Sequence, residues 1–393
     1  MTARTLRGKV AIVGVAETSY YKRGTSPDPE FRMALEAILA AAADAGIDPR
    51  EIDGFASFHD ERSTPIRLAS ALDVRELRFS NLVWGGGGGG GAAAVGNAAA
   101  AIVAGTADCV VVYRSLVQSA SRRIGQGAAQ SAVEGANALT APYGVFTPAQ
   151  QFAMKVTRYM HEHGVQRSAL QAISLASYHH AQMNPRAVMY GKPLTPEIYD
   201  ESRWIVEPFR LFDCCMENDG AAALILMSAE RAAAVSSSPV YILAAEQGGD
   251  PRGAARAHNA PFYATSGFRT LAPRLFDNAG VKPKDIKVAQ VYENFTGGVV
   301  MSLAEHGFFE PEEANDFLVL DNLIAPTGKL PLNTSGGNLA ECYMHGLELQ
   351  IEAVRQLRNQ STAQVAGADL GIVISGPMVN PVSNMILGTA ATL

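Results

Sequence analysis

Short apolar runs alternate with stretches of helical spacing along the whole chain. VAIVGVAET (10–18) is continuous and carries β-branched residues, as buried strands do. PDPEFRMALEAILAAAADAG (27–46) has helical spacing, prolines at its start and a glycine at its end. After IDPREIDGFASF come a glycine turn, a helix at 91–104 and a second buried strand in GTADCVVVYRS. The far half reads the same way. FRTLAPRLFDNAG (268–280) is a helix closed by Gly280, and VKPKDIKVAQVYENF follows it. HGLELQIEAVRQLRNQ (345–360) is helical, and AGADLGIVISG (366–376) is a buried strand.

The two halves also match in wording. AGIDPREIDGFA (45–56) aligns with AGVKPKDIKVAQ (279–290), and AGTADCVVVY (104–113) with AGADLGIVIS (366–375), in the same order. This is an internal duplication with a period of about 230–260 residues. It implies an α/β fold of two similar halves, 1–235 and 236–393. A region of about 115–205, rich in polar helix and turn residues, is inserted in the first half. That half closes on the core strand AAALILMS, and SSSPVYILA (236–244) opens the second.

Composition narrows the function. The 393 residues are 48% hydrophobic and 18% charged, enough to bury a sizeable core. The net charge of −6 argues against nucleic acid as a partner. Four cysteines (Cys109, Cys214, Cys215 and Cys342) show neither a disulfide framework nor metal-ligand spacing. The opening MTARTLRGKVAIVGVAETS has too short an apolar run for a signal peptide. Residues 85–105 are glycine and alanine, too weakly apolar to span a membrane. A reducing cytoplasm fits these features. His179 and His180 are adjacent on one helix and make a poor metal pair, so no metal is expected.

Four loops at strand ends or helix starts have chemistry to offer. Gly85–Gly91 can present backbone N–H groups to an anion or simply pack a helix closely; it has no nucleophile. VYENFTGG places Tyr292, Glu293 and Asn294 at a strand end, where Tyr292 is a candidate or an ordinary packed tyrosine. Tyr343 and His345 lie in a turn before a helix, where His345 can serve as a cap. Gly376 follows the last strand, with its N–H free to face the same cavity.

Taken together, the duplicated halves, CCMENDGAAALIL (214–226), YENF (292–295) and NTSGGNLAECYMHG (333–346) resemble the thiolase superfamily over nearly the whole chain. The likeness is strongest to its sterol-carrier/lipid-transfer branch. It implies a five-layer α/β/α/β/α fold, acyl-CoA thioester substrates and a dimer. The departures are specific. Glycines 85–91 fill the place of the family's nucleophilic cysteine. Ser375-Gly376-Pro377 fills that of its second cysteine. Tyr292 and Tyr343 stand where Asn or His, and the His of GHP, would be expected. Without a thiolate there is no acyl-enzyme.

Two phenols at these places resemble the thiolase-fold aldolases of bacterial sterol side-chain degradation. That resemblance implies retro-aldol cleavage of a 17-hydroxy steroid C22-CoA thioester to a 17-keto steroid and propionyl-CoA, without a cofactor. One of Tyr292 and Tyr343 would be the base and the other would steady or reprotonate the enolate. If so, one phenol needs a lowered pKa. Glu293, Asn294 and His345 would support them, and backbone N–H groups of Gly87, Gly88 and Gly376 would hold the thioester oxygen. A DUF35-domain partner on an acyl-CoA hydratase subunit is implied as well. The glycine run is expected to leave room for the steroid rings. Two other readings stay open. One is a non-catalytic lipid- or acyl-CoA-binding protein or scaffold. The other is a condensing or thiolytic enzyme using Cys342.

Overall fold

The computed structural model of the chain describes residues 5–85, 87–120, 135, 137–251 and 262–393. Outside them lie Gly86 of the glycine run, 121–134 and 136 of the region read as an insertion, and 1–4 of the opening stretch. The main strands are β1 (Val10–Glu17), β2 (Gly54–Phe58), β3 (Phe79–Val83), β4 (Cys109–Val117), β5 (Asn218–Ser228), β6 (Val240–Gly248), β7 (Val288–Val291), β8 (Leu370–Ser375) and β9 (Val382–Gly388). With the short Tyr21–Lys22 they form a ten-stranded sheet in the order β7-β8-β9-β6-β1-β5-β4-β2-β3. The strands of the two halves meet where β1 pairs with β6, at Ala11↔Tyr241 and Ile12↔Val240.

The principal helices are α1 (Glu30–Ala45), α2 (Gly91–Val103), α3 (Pro148–His163), α4 (Arg167–Ala181), α5 (Leu271–Ala279), α6 (Thr296–Glu305) and α7 (Leu347–Leu357). Successive strand residues point to opposite faces, and here that alternation divides two cores. Val10, Ile12, Val110, Val112, Leu224, Leu226, Ile242, Val373 and Met385 pack on the central helices α2 and α7. Ala11, Val13, Val111, Ile225, Leu243 and Ile372 pack on the outer side, where α1 and α5 lie. Most of the inner strands are therefore covered on both faces, which is why they read as unbroken apolar runs. The order from outside to outside is helix, strands, central helices, strands, helix: the five layers that the family resemblance implies.

The matched segments fold alike. α1 ends at Gly46 and α5 at Gly280, both with φ +68°. Only glycine adopts this left-handed cap without strain. Each glycine is followed by a short 3₁₀ turn, Pro49–Glu51 or Pro283–Asp285, and then by β2 or β7. β2 pairs in parallel with β4, and β7 with β8. The carboxyl ends of these parallel strands carry the candidate residues, as is usual in α/β sheets.

The apolar runs did not reveal β3 or β9. β3 is an edge strand whose exposed and covered residues alternate. β9 buries polar side chains with specific partners. Ser383 Oγ donates to the Gly89 carbonyl at 2.6 Å, and Asn384 Nδ2 lies 2.8 Å from His306 Nε2.

Candidate active site

The phenol oxygens of Tyr292 and Tyr343 are 2.6 Å apart, a short hydrogen bond in which either can donate. Tyr292 follows β7, its N–H held by the Ile374 carbonyl of β8 at 2.9 Å. Tyr343 sits in the turn before α7, its N–H donating to Asn218 Oδ1 at 2.5 Å. The rings tilt by 43° with centroids 5.9 Å apart. Leu349, Cys215 and Met216 pack around them. The pair is almost enclosed: Tyr292 is 1% and Tyr343 5% exposed.

The glycine run lies directly against this pair. A Cβ on Gly88 would sit 2.5 Å from Tyr292 Cζ, well inside van der Waals contact. Gly376, with φ +66°, packs on the same backbone; a Cβ there would fall 2.9 Å from the carbonyl carbon of Gly88. Gly87 is adjacent, its Cβ direction leading to the Tyr292 oxygen at 3.7 Å. The three glycines are thus brought to the phenols. The reason for Gly88 differs from the expectation, however. It makes room for the Tyr292 ring, where steroid volume had been expected to be the cause.

Glu293, Asn294 and His345 take separate positions. Glu293 points at the turn of Gly337, where a Cβ would lie 2.7 Å from its Cδ, and accepts from Ser177 Oγ at 3.3 Å. Asn294 organises its own loop: its Oδ1 accepts from Phe295 N at 3.0 Å and its carbonyl from Cys215 N at 3.0 Å. His345 is the one of the three that packs on the pair, edge-on to Tyr343 at 4.9 Å. It does not cap α7; Gly346 does. The carboxyl the phenols feel is Glu348, which the sequence reading missed. It accepts from Asn338 Nδ2 and, at 3.2 Å, from Met344 N.

Burial holds the Tyr292 hydroxyl well above the ordinary phenol range. Cys215 and Glu348 add to this, while hydrogen bonds from Tyr343 and the Gly88 N–H pull it back. Tyr343 is also held high, by burial first and then by Tyr292 and Cys215. The expectation of one depressed phenol therefore does not hold: a low-dielectric pocket disfavours phenolate at either oxygen.

Burial has a second consequence nearby. It pushes Glu293 and Glu341 up to about 8. Each keeps its proton in the folded chain but loses it near 4.5 when unfolded, so their stabilising contribution is lost as pH rises from about 4.5 through 8. His180 and His306, driven down by burial to about 3 and about 4, act only below about 6.5. Between pH 6.5 and 8 the unfolding free energy should therefore fall, by up to roughly 1 kcal/mol per pH unit for each carboxyl, and the urea midpoint with it. Glu341→Gln should flatten that slope and raise stability at pH 8. A midpoint that rises with pH over this window would contradict the assignment.

One arginine was missed entirely. Arg114, in the buried and mostly apolar β4, is buried to 1% exposure. Its guanidinium donates to His345 Nδ1 from Nε at 3.2 Å and from Nη2 at 3.0 Å. It also pairs with Asp60, and with Glu61 at 3.4 Å. A charge inside a buried strand was the signal in the sequence. His59, Asp60 and His345 bring possible ligand atoms within 4.8 Å of one another. Arg114 already holds two of the three, and a permanent cation there opposes a second one. The thiols offer no nucleophile. Burial holds Cys342 well above its ordinary range, with Glu348 and Glu341 adding to the effect. Cys215 is also raised, by burial first. Cavities of about 560 and 730 Å³ lie elsewhere, one beside Tyr20 and Arg186 and one beside Arg158 and Phe262; neither phenol lines them. Convergence of reactive groups, rather than open volume, marks the site.

Comparison with known proteins points the same way. The family described as Thiolase C-terminal domain-like matches residues 253–389. A 17-hydroxy-3-oxo-4-pregnene-20-carboxyl-CoA lyase of Mycobacterium tuberculosis is 40% identical, the alignment covering 98% of this chain and 100% of the lyase. A steroid side-chain-cleaving aldolase of Thermomonospora curvata is 38% identical over 98% of both chains. The solved structure of an Ltp2-ChsH2(DUF35) aldolase superposes with a TM-score of 0.91 at 36% identity, covering 99% of this chain and 100% of that one.

Proposed function

Since the chain belongs to the thiolase superfamily, in its steroid side-chain-cleaving aldolase branch, we propose that it is a cysteine-independent carbon–carbon lyase. Its substrate is a 17-hydroxy steroid bearing a C22-CoA thioester side chain, cleaved to the 17-keto steroid and propionyl-CoA. The observation that carries this reading is the 2.6 Å bond between the Tyr292 and Tyr343 hydroxyls.

A retro-aldol step moves one proton. The ring hydroxyl loses it, a carbonyl forms there, the bond to the carbon α to the thioester breaks, and that carbon gains a proton. Two neutral phenols in contact can do this as a relay. One takes the hydroxyl proton while passing its own to the other, which protonates the α carbon. No free phenolate is needed, which agrees with the raised pKa of both. Tyr292 fits the hydroxyl side, because the Gly88 N–H and Tyr343 both support charge building on its oxygen. With the Gly88 N–H engaged by the Tyr292 oxygen, the backbone at Gly87 and Gly376 is the candidate oxyanion site for the developing enolate; a donor there is typically worth about 3–4 kcal/mol.

The relay requires no cofactor or metal, and none is part of the proposal. Likewise proposed are the division into halves at 235/236, a homodimer and a DUF35-domain partner. The homodimer draws on the edge strand β3 with its exposed Leu82, and on the exposed Trp84 that follows it. The DUF35-domain partner draws on the Ltp2-ChsH2(DUF35) aldolase. Among the described residues no helix is long and apolar enough to cross a membrane, and all four cysteines are free; a reducing cytoplasm suits them. A non-catalytic carrier is the second reading, favoured by the enclosure of the phenols. One assay separates the two. Chain, DUF35-domain partner and the 17-hydroxy C22-CoA thioester should release propionyl-CoA and 17-keto steroid in equal amounts. Tight binding without product would support the carrier.

A further inference from the structure

Three elements converge on the imidazole of His345. Arg114 reaches it from β4, His59 packs against it at 5.1 Å from the loop after β2, and Tyr343 lies edge-on in its own turn. Asp60 and Glu61 face it through Arg114, and Tyr292 lies behind Gly346, which touches the Tyr292 ring. His345 itself has φ +52°, a conformation a non-glycine residue rarely adopts, so the turn is held against a backbone cost. Both Arg114 contacts go to Nδ1. A guanidinium has only donors and does not lose its proton, so Nδ1 must be the acceptor. The ring is then neutral with its proton on Nε2. That N–H has no hydrogen-bond partner among the described residues, and 8% of the residue remains accessible.

Resting on the aldolase reading, we propose that Arg114 locks His345 as a neutral Nε2–H donor, and that this N–H hydrogen-bonds the thioester oxygen as the enolate forms. His345 is then a third catalytic side chain, and Arg114 the positioning residue that sets its tautomer. The logic is electrostatic. A neutral donor stabilises developing negative charge at an oxygen without becoming an acid strong enough to protonate the phenol relay. Burial, Arg114 and His59 all push the imidazole well below its ordinary pKa, so it stays neutral through the working range.

Two measurements test this. The first is ¹⁵N NMR of the imidazole-labelled full chain with its partner, with His345→Gln used to assign the signal. Nδ1 should remain unprotonated and Nε2 protonated across neutral pH, because Arg114 donates to Nδ1. Arg114→Met should release the tautomer, letting Nδ1 carry the proton in part of the population, while burial still holds the ring's pKa down. Protonation at Nδ1 in the wild type overturns the tautomer assignment, whether or not the aldolase reading survives. The second is a comparison of His345→Gln, which can present an amide N–H near the Nε2 position, with His345→Phe, which keeps the ring and lacks the donor. The Phe variant should lose about 10²-fold or more in kcat with little change in KM, as deletion of an oxyanion donor does. The Gln variant should recover most of that loss. Equal losses, or a Phe variant within about threefold of wild type, would overturn the donor role. A wild type that is inactive in the cleavage assay would instead count against the aldolase reading, leaving the NMR result to decide the tautomer.

Discussion

Tyr343→Phe and Tyr292→Phe are each expected to lower kcat for cleavage by about 10³-fold, within the range usual for a positioned acid–base group. Phenylalanine keeps the ring that packs against Leu349 and Cys215 and removes only the hydroxyl of the 2.6 Å bond. Folding should therefore survive, and KM should change little. The remaining hydroxyl loses its partner inside an enclosed site, so the proton has no continuous path from the ring oxygen to the α carbon. Because neither phenol is ionised at neutral pH in this arrangement, kcat of the wild type should show no inflexion from the pair between about pH 6 and 9. Steady-state kinetics of the folded variants, checked by thermal unfolding, read both outcomes. Near-wild-type turnover in either would remove that hydroxyl from the reaction.

The second large effect is at Gly88. Alanine there places a methyl group 2.5 Å from Tyr292 Cζ, so the ring or the glycine turn must move. Overpacking of this kind costs typically 1–3 kcal/mol, and a displacement of about 1 Å in a catalytic group can cost about 10²-fold in rate. Gly88→Ala should therefore be both less stable and at least about 10²-fold slower. The cause can be separated from steroid fit. In a Tyr292→Ala background the methyl has space, and the stability penalty of Gly88→Ala should shrink to a few tenths of a kcal/mol. A penalty of the same size in both backgrounds would mean that the ring is not what the glycine accommodates.

Much of this was legible in the sequence, for identifiable reasons. Gly46 and Gly280 punctuate two matched helices because a left-handed cap leaves few alternatives to glycine. Unbroken apolar runs gave away strands covered on both faces. The tyrosines stood out because they replace other chemistry at two separate loops of one known frame. What stayed hidden depended on contacts between distant segments. Nothing near position 88 in the chain says that the ring of residue 292 lies on it. Glu293, next to Tyr292 in sequence, turns away to the Gly337 turn. Glu348, in the first turn of α7, is the carboxyl that acts on the phenols instead. Arg114 bonds His345 across more than two hundred residues. The edge strand β3 was missed because its alternating exposure dilutes the apolar signal that marked the inner strands.

Whether the two hydroxyls act as one device is tested most directly by a double-mutant cycle on kcat. Wild type, Tyr292→Phe, Tyr343→Phe and the double variant are compared with the same partner and substrate. If one proton path runs through both oxygens, breaking it twice should cost no more than breaking it once, and the double variant should fall within about threefold of either single. Losses that multiply, giving about 10⁶-fold for the pair, would mean that the hydroxyls serve independent steps and that the relay does not exist.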